Sequence, residues 1–170
     1  ARWTEGAVGA PTAGMHFTRE LMKRLEIKGC DFAFLTLHAG LGNFREIDVE
    51  DLTKHKMDSE EMFITEECTK IVNKAHEARQ HICAVGTTVL RAVESSVGTD
   101  GLIKPTTGWT NKFIFPPYNF TVADRLVTNF HMPYSTFLMM VCAFGEYDYV
   151  MNAYDVALKE GYKFGPYGDA

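Results

Sequence analysis

Short apolar runs that alternate with helical patterns and glycine-rich loops constrain the fold of this chain most strongly. The clearest unit is the apolar run HICAV (residues 81–85), which is followed by Gly-Thr-Thr and then by the helical pattern VLRAVESSV. The alternation continues after Thr18, where the helical pattern RELMKRLEIKG precedes the β-prone run FAFLTL and a glycine loop. This alternation predicts an α/β domain with a mixed, largely parallel sheet flanked by helices.

Helix caps and glycines predict the boundaries of the elements. Thr18, Thr65 and either Ser135 or Thr136 are N-cap candidates, and Gly29 and Gly161 are stop signals. Further helices are predicted over residues 89–97, 135–144 and 147–160, the last with Val150, Tyr154, Ala157 and Leu158 at core spacing. Extended segments are predicted over residues 32–37, 62–64, 81–85, 113–115 and 120–127, and a Gly-, Pro- and Thr-rich loop over residues 99–109.

The composition is that of one ordinary globular domain, which we assign to residues 1–170. Hydrophobic residues make up 46% of the chain and charged residues 23%, so a core can form and disorder is not expected. Seventeen basic and 22 acidic residues give a net charge of −5 without a dense basic block, which argues against a simple nucleic-acid-binding module. No apolar stretch reaches the length of a membrane span, so neither a span nor a signal peptide is expected.

The four cysteines form no metal or disulfide pattern. The chain contains no CxxC pair and no tight Cys/His spacing. Neither zinc nor a disulfide framework is therefore expected, and a reduced cytoplasmic setting is the default. Cys83 and Cys142 lie inside apolar runs and are expected to pack as small hydrophobic side chains.

Four loops combine glycines and hydroxyls with an imidazole or a cation at the junctions of regular elements. They read PTAGMHF, LHAGLGNF, VGTTVLRA and TNFHMPYST. Ligands of open α/β sheets bind beyond the carboxyl ends of strands, so these loops predict one shared cleft. His131 is a candidate proton carrier, Arg91 a candidate clamp for a carboxylate or phosphate, and Glu60 a candidate carboxylate near the cleft. The predicted binding residues are Thr12, Gly14, His38, Gly40, Gly42, Thr87, Thr88, Arg91, Asn129, Ser135 and Thr136.

Each of these residues also has an ordinary structural explanation. Glycines and hydroxyls occur in any strand-to-helix turn, and His131 can be a hydrogen-bonded structural residue. Glu60 can be a solvated surface carboxylate, and Arg91 can form a surface salt bridge. His16, His38 and His131 all lie in the four loops, but their spacing matches no metal-binding motif, so no metal is expected.

The four loops, taken together and in order, carry a family resemblance. PTAGMHFT, LTLHAGLGNFREI, VGTTVLRAVES and LVTNFHMPYSTFLMMVCAFG, with AYDVALKEGYKFGPYGDA at the end, resemble the S-adenosylmethionine:tRNA ribosyltransferase-isomerases of queuosine biosynthesis. The resemblance spans nearly the whole chain. It implies transfer and isomerisation of the ribosyl part of S-adenosylmethionine onto 7-aminomethyl-7-deazaguanine in tRNA, which gives epoxyqueuosine and releases adenine and methionine.

The resemblance also implies roles for individual side chains. His131 becomes the leading acid/base candidate and His16 the second, while Glu60 would stabilise the sulfonium or a developing positive charge. Arg91, with the amides of Thr87 and Thr88, would hold the methionine carboxylate or a tRNA phosphate. S-adenosylmethionine would be a co-substrate, so no resident cofactor is implied, and the intact protein would be a cytoplasmic monomer.

The resemblance further implies a two-part protein, of which this chain would be the C-terminal part. Family members carry a β-barrel domain inserted in an α/β domain, and the present sequence would be an incomplete α/β domain without that insertion. A truncated fragment that only binds S-adenosylmethionine or serves in assembly therefore remains an alternative, as does a different small-molecule transferase on the same scaffold. The chain departs from the family pattern at Asn43, Asp58 and Val89, where Thr, His and Ser are usual.

Overall fold

The computed structural model describes residues 6–44, 47–165 and 167–170, apart from the side chains of Asn43 and Phe44. The departure from the family pattern at Asn43 thus lies outside the described side chains. The helices are α1 (Thr12–Met15), α2 (Arg19–Ile27), α3 (Glu66–Glu77), α4 (Thr87–Ser95), α5 (Thr136–Gly145) and α6 (Tyr147–Lys159). The strands are β1 (Thr36–Leu37), β2 (Glu60–Ile64), β3 (Cys83–Val85), β4 (Thr106–Thr110) and β5 (Arg125–Val127), and 3₁₀ turns cover Leu41–Phe44 and Leu52–Lys54.

The strands form two small sheets. In the first sheet, of order β1-β2-β4, both pairings are antiparallel, with Glu60 opposite Thr110 and Ile64 opposite Thr106. In the second sheet, β3 and β5 run parallel, with Cys83 in register with Arg125. The mixed α/β class is confirmed. The expectation of largely parallel pairing is wrong, because among the described strands only β3 and β5 are parallel neighbours.

Strand β4 is the main reason for this difference. The glycines, threonines and single proline of residues 99–109 predict a loop, yet Thr106–Thr110 pairs along the whole of β2. Threonine and tryptophan suit a pleated surface, and Gly108 lies opposite Met62 within the ladder. The strand is thus stabilised by a partner distant in sequence, which local composition did not reveal.

Helix α4 lies between the two sheets and is the centre of the core. Ala92 and Val93 pack in a cluster with Met62 of the antiparallel sheet. Leu90 packs in a second cluster with Ala84 of the parallel sheet, and full burial of such a leucine contributes about 1.5–3 kcal/mol. Because α4 meets protein on both sides, every residue from Leu90 to Glu94 is buried. Helices α5 and α6 add a smaller cluster around Leu138, Cys142 and Val150.

The predicted helix ends are largely confirmed. The side chains of Thr18, Thr65 and Ser135 accept hydrogen bonds from the amides of Leu21, Cys68 and Leu138, as N-caps do. Gly29 and Gly161, with φ of 89° and 75°, follow the ends of α2 and α6. Among the described residues, no helix is long and apolar enough to cross a membrane.

Several local expectations are wrong. Only Thr36–Leu37 of the predicted strand 32–37 is paired, and residues 113–115 lie in no strand. Cys83 is exposed, because its neighbour Ala84 takes the inward position and side chains alternate along a strand. Leu158 is 65% exposed, since α6 turns Val150 and Ala157 inward instead.

The cap of α3 allows a direct test of the local structure. We expect Thr65→Ala to lower the free energy of unfolding by about 1 kcal/mol, because the amide of Cys68 loses its side-chain acceptor. The exposed loop residue Thr99 provides a control, and Thr99→Ala should change stability by less than about 0.5 kcal/mol. Urea denaturation followed by circular dichroism measures both, and equal values for the two variants would contradict the capping role.

Candidate functional site

Three of the four loops meet at the carboxyl ends of the parallel strands β3 and β5. Gly86, directly after β3, donates its amide to the carbonyl of Val127 at 2.8 Å. A Cβ on Gly86 would lie 4.0 Å from the Cβ of Ala13, so α1 covers this junction. The side-chain nitrogen of Asn129, after β5, lies 3.2 Å from Nε2 of His16, after α1. The structure thus brings PTAGMHF, VGTTVLRA and TNFHMPYST together, where ligands of parallel sheets bind.

The start of α4 is suited to hold an anionic group at this junction. Gly86 is its N-cap residue, with φ of 106°, and forms no side-chain cap. The first-turn amides therefore lack the side-chain acceptor that caps α2, α3 and α5. Thr87 is buried and Thr88 half-buried, so the Thr88 end of this turn is the more open one. Its amides and the helix dipole favour a carboxylate or phosphate.

His131 is held from three sides next to the end of β5. Its backbone amide donates to the hydroxyl of Tyr154 at 2.8 Å, and its Nε2 lies 2.8 Å from Oγ1 of Thr128. Its ring also packs against Phe137, with the centroids 5.3 Å apart. Burial lowers the pKa of His131 to about 4, so the imidazole is neutral near pH 7. A neutral imidazole can accept a proton, but it lacks the second ring proton that a general acid would donate.

Asn129 connects His16 to the C-terminal segment. Its side-chain nitrogen lies 3.3 Å and 3.1 Å from the carbonyl oxygens of Gly168 and Asp169, besides its contact with His16. The side chain of Asp169 accepts from the amide of Lys163 at 2.8 Å and closes this segment into a loop. Asn129 is 5% exposed, and its Oδ1 has no hydrogen-bond partner within the described part of the chain. Sequence reasoning missed Gly168 and Asp169 as neighbours of Asn129.

Arg91 and Glu60 form a buried ion pair. Arg91 is 0% and Glu60 3% exposed, and a guanidinium nitrogen of Arg91 contacts Oε2 of Glu60. Burial lowers the pKa of Arg91 to about 10, which still leaves it charged at neutral pH. The alternative explanations of a solvated Glu60 and a surface salt bridge of Arg91 are therefore wrong, because both side chains are enclosed. In this structure neither group presents surface to a ligand.

The glycine loop, defined here as residues 38–42, is tied to the same pair. The amide of Gly40 donates to Oε1 of Glu60 at 2.5 Å. The amide of His38 donates to the carbonyl of Glu61 at 2.9 Å, and the His38 ring packs edge-on against Phe63. A Cβ on Gly42 would overlap the carboxylate of Asp58. Asp58, one of the three residues that depart from the family pattern, therefore lies against this loop. The fourth loop thus contacts α4 through Glu60.

The remaining predicted binding residues lie at the start of α5 and in α1. Ser135 caps α5 and also donates its hydroxyl to the carbonyl of Met132 at 2.7 Å. Thr136 is buried, and its Oγ1 has no hydrogen-bond partner among the described residues. Thr12 and Gly14 lie in α1 and are half-buried. The described residues contain no group of three or more His, Cys, Asp or Glu side chains that could hold a metal ion.

A further buried carboxylate, that of Glu94 in α4, was not identified from the sequence. It accepts hydrogen bonds from the amides of Thr121 and Val122 and from the hydroxyl of Tyr118. Glu94 therefore holds the segment that leads into β5 and the TNFHMPYST loop. A glutamate beside Ala92 and Val93 on a helix of core-forming residues was the available signal.

Known proteins resemble this chain over nearly its whole length. The family described as "Queuosine biosynthesis protein" matches residues 1–170. An S-adenosylmethionine:tRNA ribosyltransferase-isomerase from Bacteroides fragilis is 72% identical over 166 residues, which are 98% of this chain and 47% of that protein. A relative with the same description from Phocaeicola vulgatus is 69% identical, with the same two coverages. The crystal structure of an S-adenosylmethionine tRNA ribosyltransferase from Thermotoga maritima matches with a TM-score of 0.74 and 37% identity, over 92% of this chain and 49% of that one.

These matches confirm the family resemblance and leave its details open. The chain spans about half the length of the curated relatives it matches. Its place as the C-terminal part of a two-domain enzyme, and the roles of the individual site residues, stay predictions. The match over all 170 residues and the shared fold nevertheless establish the assignment: the chain belongs to the queuosine biosynthesis protein family.

Proposed function

We propose that this chain forms the S-adenosylmethionine site of an enzyme that modifies tRNA. The enzyme transfers and isomerises the ribosyl moiety of S-adenosylmethionine onto 7-aminomethyl-7-deazaguanine in tRNA, giving epoxyqueuosine and releasing adenine and methionine. The observation that carries the proposal is the meeting of three loops at the carboxyl ends of β3 and β5, in a chain whose relatives are described as S-adenosylmethionine:tRNA ribosyltransferase-isomerases.

The chemistry needs one base and one acid. The sulfonium of S-adenosylmethionine acidifies neighbouring C–H bonds, so a neutral base can start the reaction, and the departing adenine must receive a proton. His131 is the candidate base, because its ring lies at the end of β5, is neutral near pH 7 and keeps Nε2 within 2.8 Å of the hydroxyl of Thr128. His16 is the candidate acid, because it is exposed and its Nε2 lies 3.2 Å from the side-chain nitrogen of Asn129 after β5.

The methionine carboxylate would bind at the start of α4. The amides of Thr87 and Thr88 and the helix dipole supply a favourable potential there. Arg91 adds little to this potential, since its charge is paired with Glu60. Binding would therefore depend on backbone groups, which side-chain substitutions leave in place.

The tRNA partner requires positive surface that this chain does not obviously supply. Its net charge is −5, whereas binding to a polyphosphate backbone depends on lysine and arginine. The relatives are about twice as long. We therefore assign most phosphate contacts to the other half of such a protein, which would act in the cytoplasm as a monomer.

A second candidate function is a fragment without turnover that only binds S-adenosylmethionine or takes part in assembly. The coverage of only 47% of the Bacteroides fragilis protein favours it. A site completed by the other half of the protein would leave the isolated chain inactive, while its amides and His131 would still be in place.

The test compares the isolated chain with a chimera, in which this chain replaces the matching half of the Bacteroides fragilis protein. Both are incubated with S-adenosylmethionine and a tRNA that carries 7-aminomethyl-7-deazaguanine, and adenine release and tRNA mass are followed. A tRNA with an unmodified guanine is the control substrate. Adenine release by the chimera alone supports the proposal together with a completed site, and release by both assigns catalysis to this chain. No release by the chimera, while the unaltered Bacteroides fragilis protein reacts, would contradict the proposal.

A further inference from the structure

The ion pair between Glu60 and Arg91 joins two elements that the backbone does not connect directly. Glu60 is the first residue of β2, and Arg91 lies in the second turn of α4. Both side chains are enclosed, at 3% and 0% exposure. Two buried charges are tolerated in a protein only when each compensates the other, so the pair constrains where β2 and α4 lie relative to one another.

The second oxygen of Glu60 reaches a third element, the glycine loop. At the start of the loop, the amide of His38 still donates to the carbonyl of Glu61, which continues the ladder between β1 and β2. Two residues later, the amide of Gly40 donates to a side chain instead of the β2 backbone, and its acceptor is Oε1 of Glu60 at 2.5 Å. A Cβ on Gly40 would lie 3.6 Å from the same oxygen. The side chain of Glu60 thus takes the place of a strand partner at the point where the ladder ends.

We infer that Glu60 and Arg91 are a positioning pair, which holds the glycine loop in a fixed place relative to the first turns of α4. Neither side chain contacts the substrate. The role of this loop in binding S-adenosylmethionine rests on the proposed function, whereas the positioning itself rests on the contacts alone.

The geometry separates this role from the one that the family resemblance suggested for Glu60. A carboxylate that stabilises a sulfonium must face the ligand and keep an uncompensated charge. Glu60 has one oxygen against a guanidinium and the other on a backbone amide. Its charge is thus compensated within the protein, and its effect on the reaction passes through the loop and α4.

Hydrogen exchange of the Gly40 amide, read by NMR on the full chain, tests the positioning without any assay of activity. Arg91→Met removes the guanidinium that faces the buried carboxylate of Glu60, and Glu60→Gln removes the negative charge that faces the guanidinium of Arg91. Because each variant removes one charge of the buried pair, the glycine loop should lose its fixed place relative to α4, and the protection of the Gly40 amide should fall by about 10- to 100-fold. The control Glu61→Gln, on the other face of β2, should leave the protection unchanged.

The double variant Glu60→Gln with Arg91→Met provides the decisive comparison. It removes both buried charges but keeps a side-chain oxygen that can accept from Gly40, so it should fold and restore protection close to the starting value. If a single variant fails to fold, the double variant still carries the test. A folded double variant with an unprotected Gly40 amide, or folded single variants with full protection, would overturn the inference.

Kinetics in the chimera separate positioning from contact with the substrate. Each single variant should raise KM for S-adenosylmethionine by about tenfold or more, and the double variant should recover both KM and kcat. A double variant that restores the Gly40 amide but keeps an impaired KM or kcat would show that the charges touch the substrate, which overturns the inference. A chimera that releases no adenine before any substitution defeats the proposed function alone, and the exchange measurement then decides the positioning.

Discussion

Replacement of His131 by alanine should lower kcat of the chimera by about 10²- to 10⁴-fold, the usual contribution of a positioned acid or base. The expectation follows from the position of the ring at the end of β5 and from its neutral state at pH 7. Affinity for tRNA should stay unchanged. The control His81→Gln, at an exposed histidine that pairs with the exposed Asp124, should keep turnover near normal. Near-normal turnover of His131→Ala with normal tRNA affinity would remove His131 from the mechanism.

The same residue should make stability depend on pH in a defined direction. Burial depresses the pKa of His131 from its ordinary value of 6.5 to about 4, so the unfolded chain takes up a proton first as the pH falls. The free energy of unfolding is unaffected by this group above about pH 7 and falls between pH 6.5 and pH 4, by about 3 kcal/mol at most. His131→Gln should flatten this part of the profile. Urea denaturation at a series of pH values measures both proteins. An equal fall of the free energy of unfolding in both, between pH 6.5 and pH 4, would contradict the burial of an uncharged ring.

The features that could be predicted from the sequence are those that local chemistry determines. Thr18, Thr65 and Ser135 cap helices because their hydroxyls reach amides three residues ahead, and sequence alone reveals that spacing. The meeting of the loops that follow β3 and β5 was likewise predictable, because each strand ends in a loop with glycine, hydroxyl or amide side chains.

The features that could not be predicted depend on partners that are distant in sequence. The sequence around Arg91 is equally compatible with a surface residue, a ligand clamp or half of a buried ion pair. Only the contact with Glu60 in the structure distinguishes these possibilities. The composition of β4 predicts a loop, and only its pairing with β2 in the structure reveals the strand. Asn129 carries no sign in its own segment that its amide bonds to residues 168 and 169. Tertiary packing decides each of these cases, and only the structure contains it.

The largest loss of stability is expected at Glu94. Its carboxylate accepts from the amides of Thr121 and Val122 at 3.0 Å each and from the hydroxyl of Tyr118 at 3.2 Å. Burial, and next the charge of Glu94, raise the pKa of Tyr118 to about 12, so this hydroxyl stays protonated and continues to donate. The carboxylate therefore satisfies three donors, of which the amide of Val122 is buried and the hydroxyl of Tyr118 half-buried, and its removal leaves them without this acceptor.

Glu94→Ala should lower the free energy of unfolding by about 3 kcal/mol or more, because each buried donor without a partner costs about 1–3 kcal/mol. Glu94→Gln should lose about half as much, since one oxygen still accepts while the new amide nitrogen faces backbone donors. The exposed Glu77 at the end of α3 is the matched control, and Glu77→Gln should change stability by less than about 0.5 kcal/mol. Urea denaturation of the three variants measures the series. A loss below about 1 kcal/mol for Glu94→Ala would mean that water replaces the carboxylate and that segment 118–123 is not held by it.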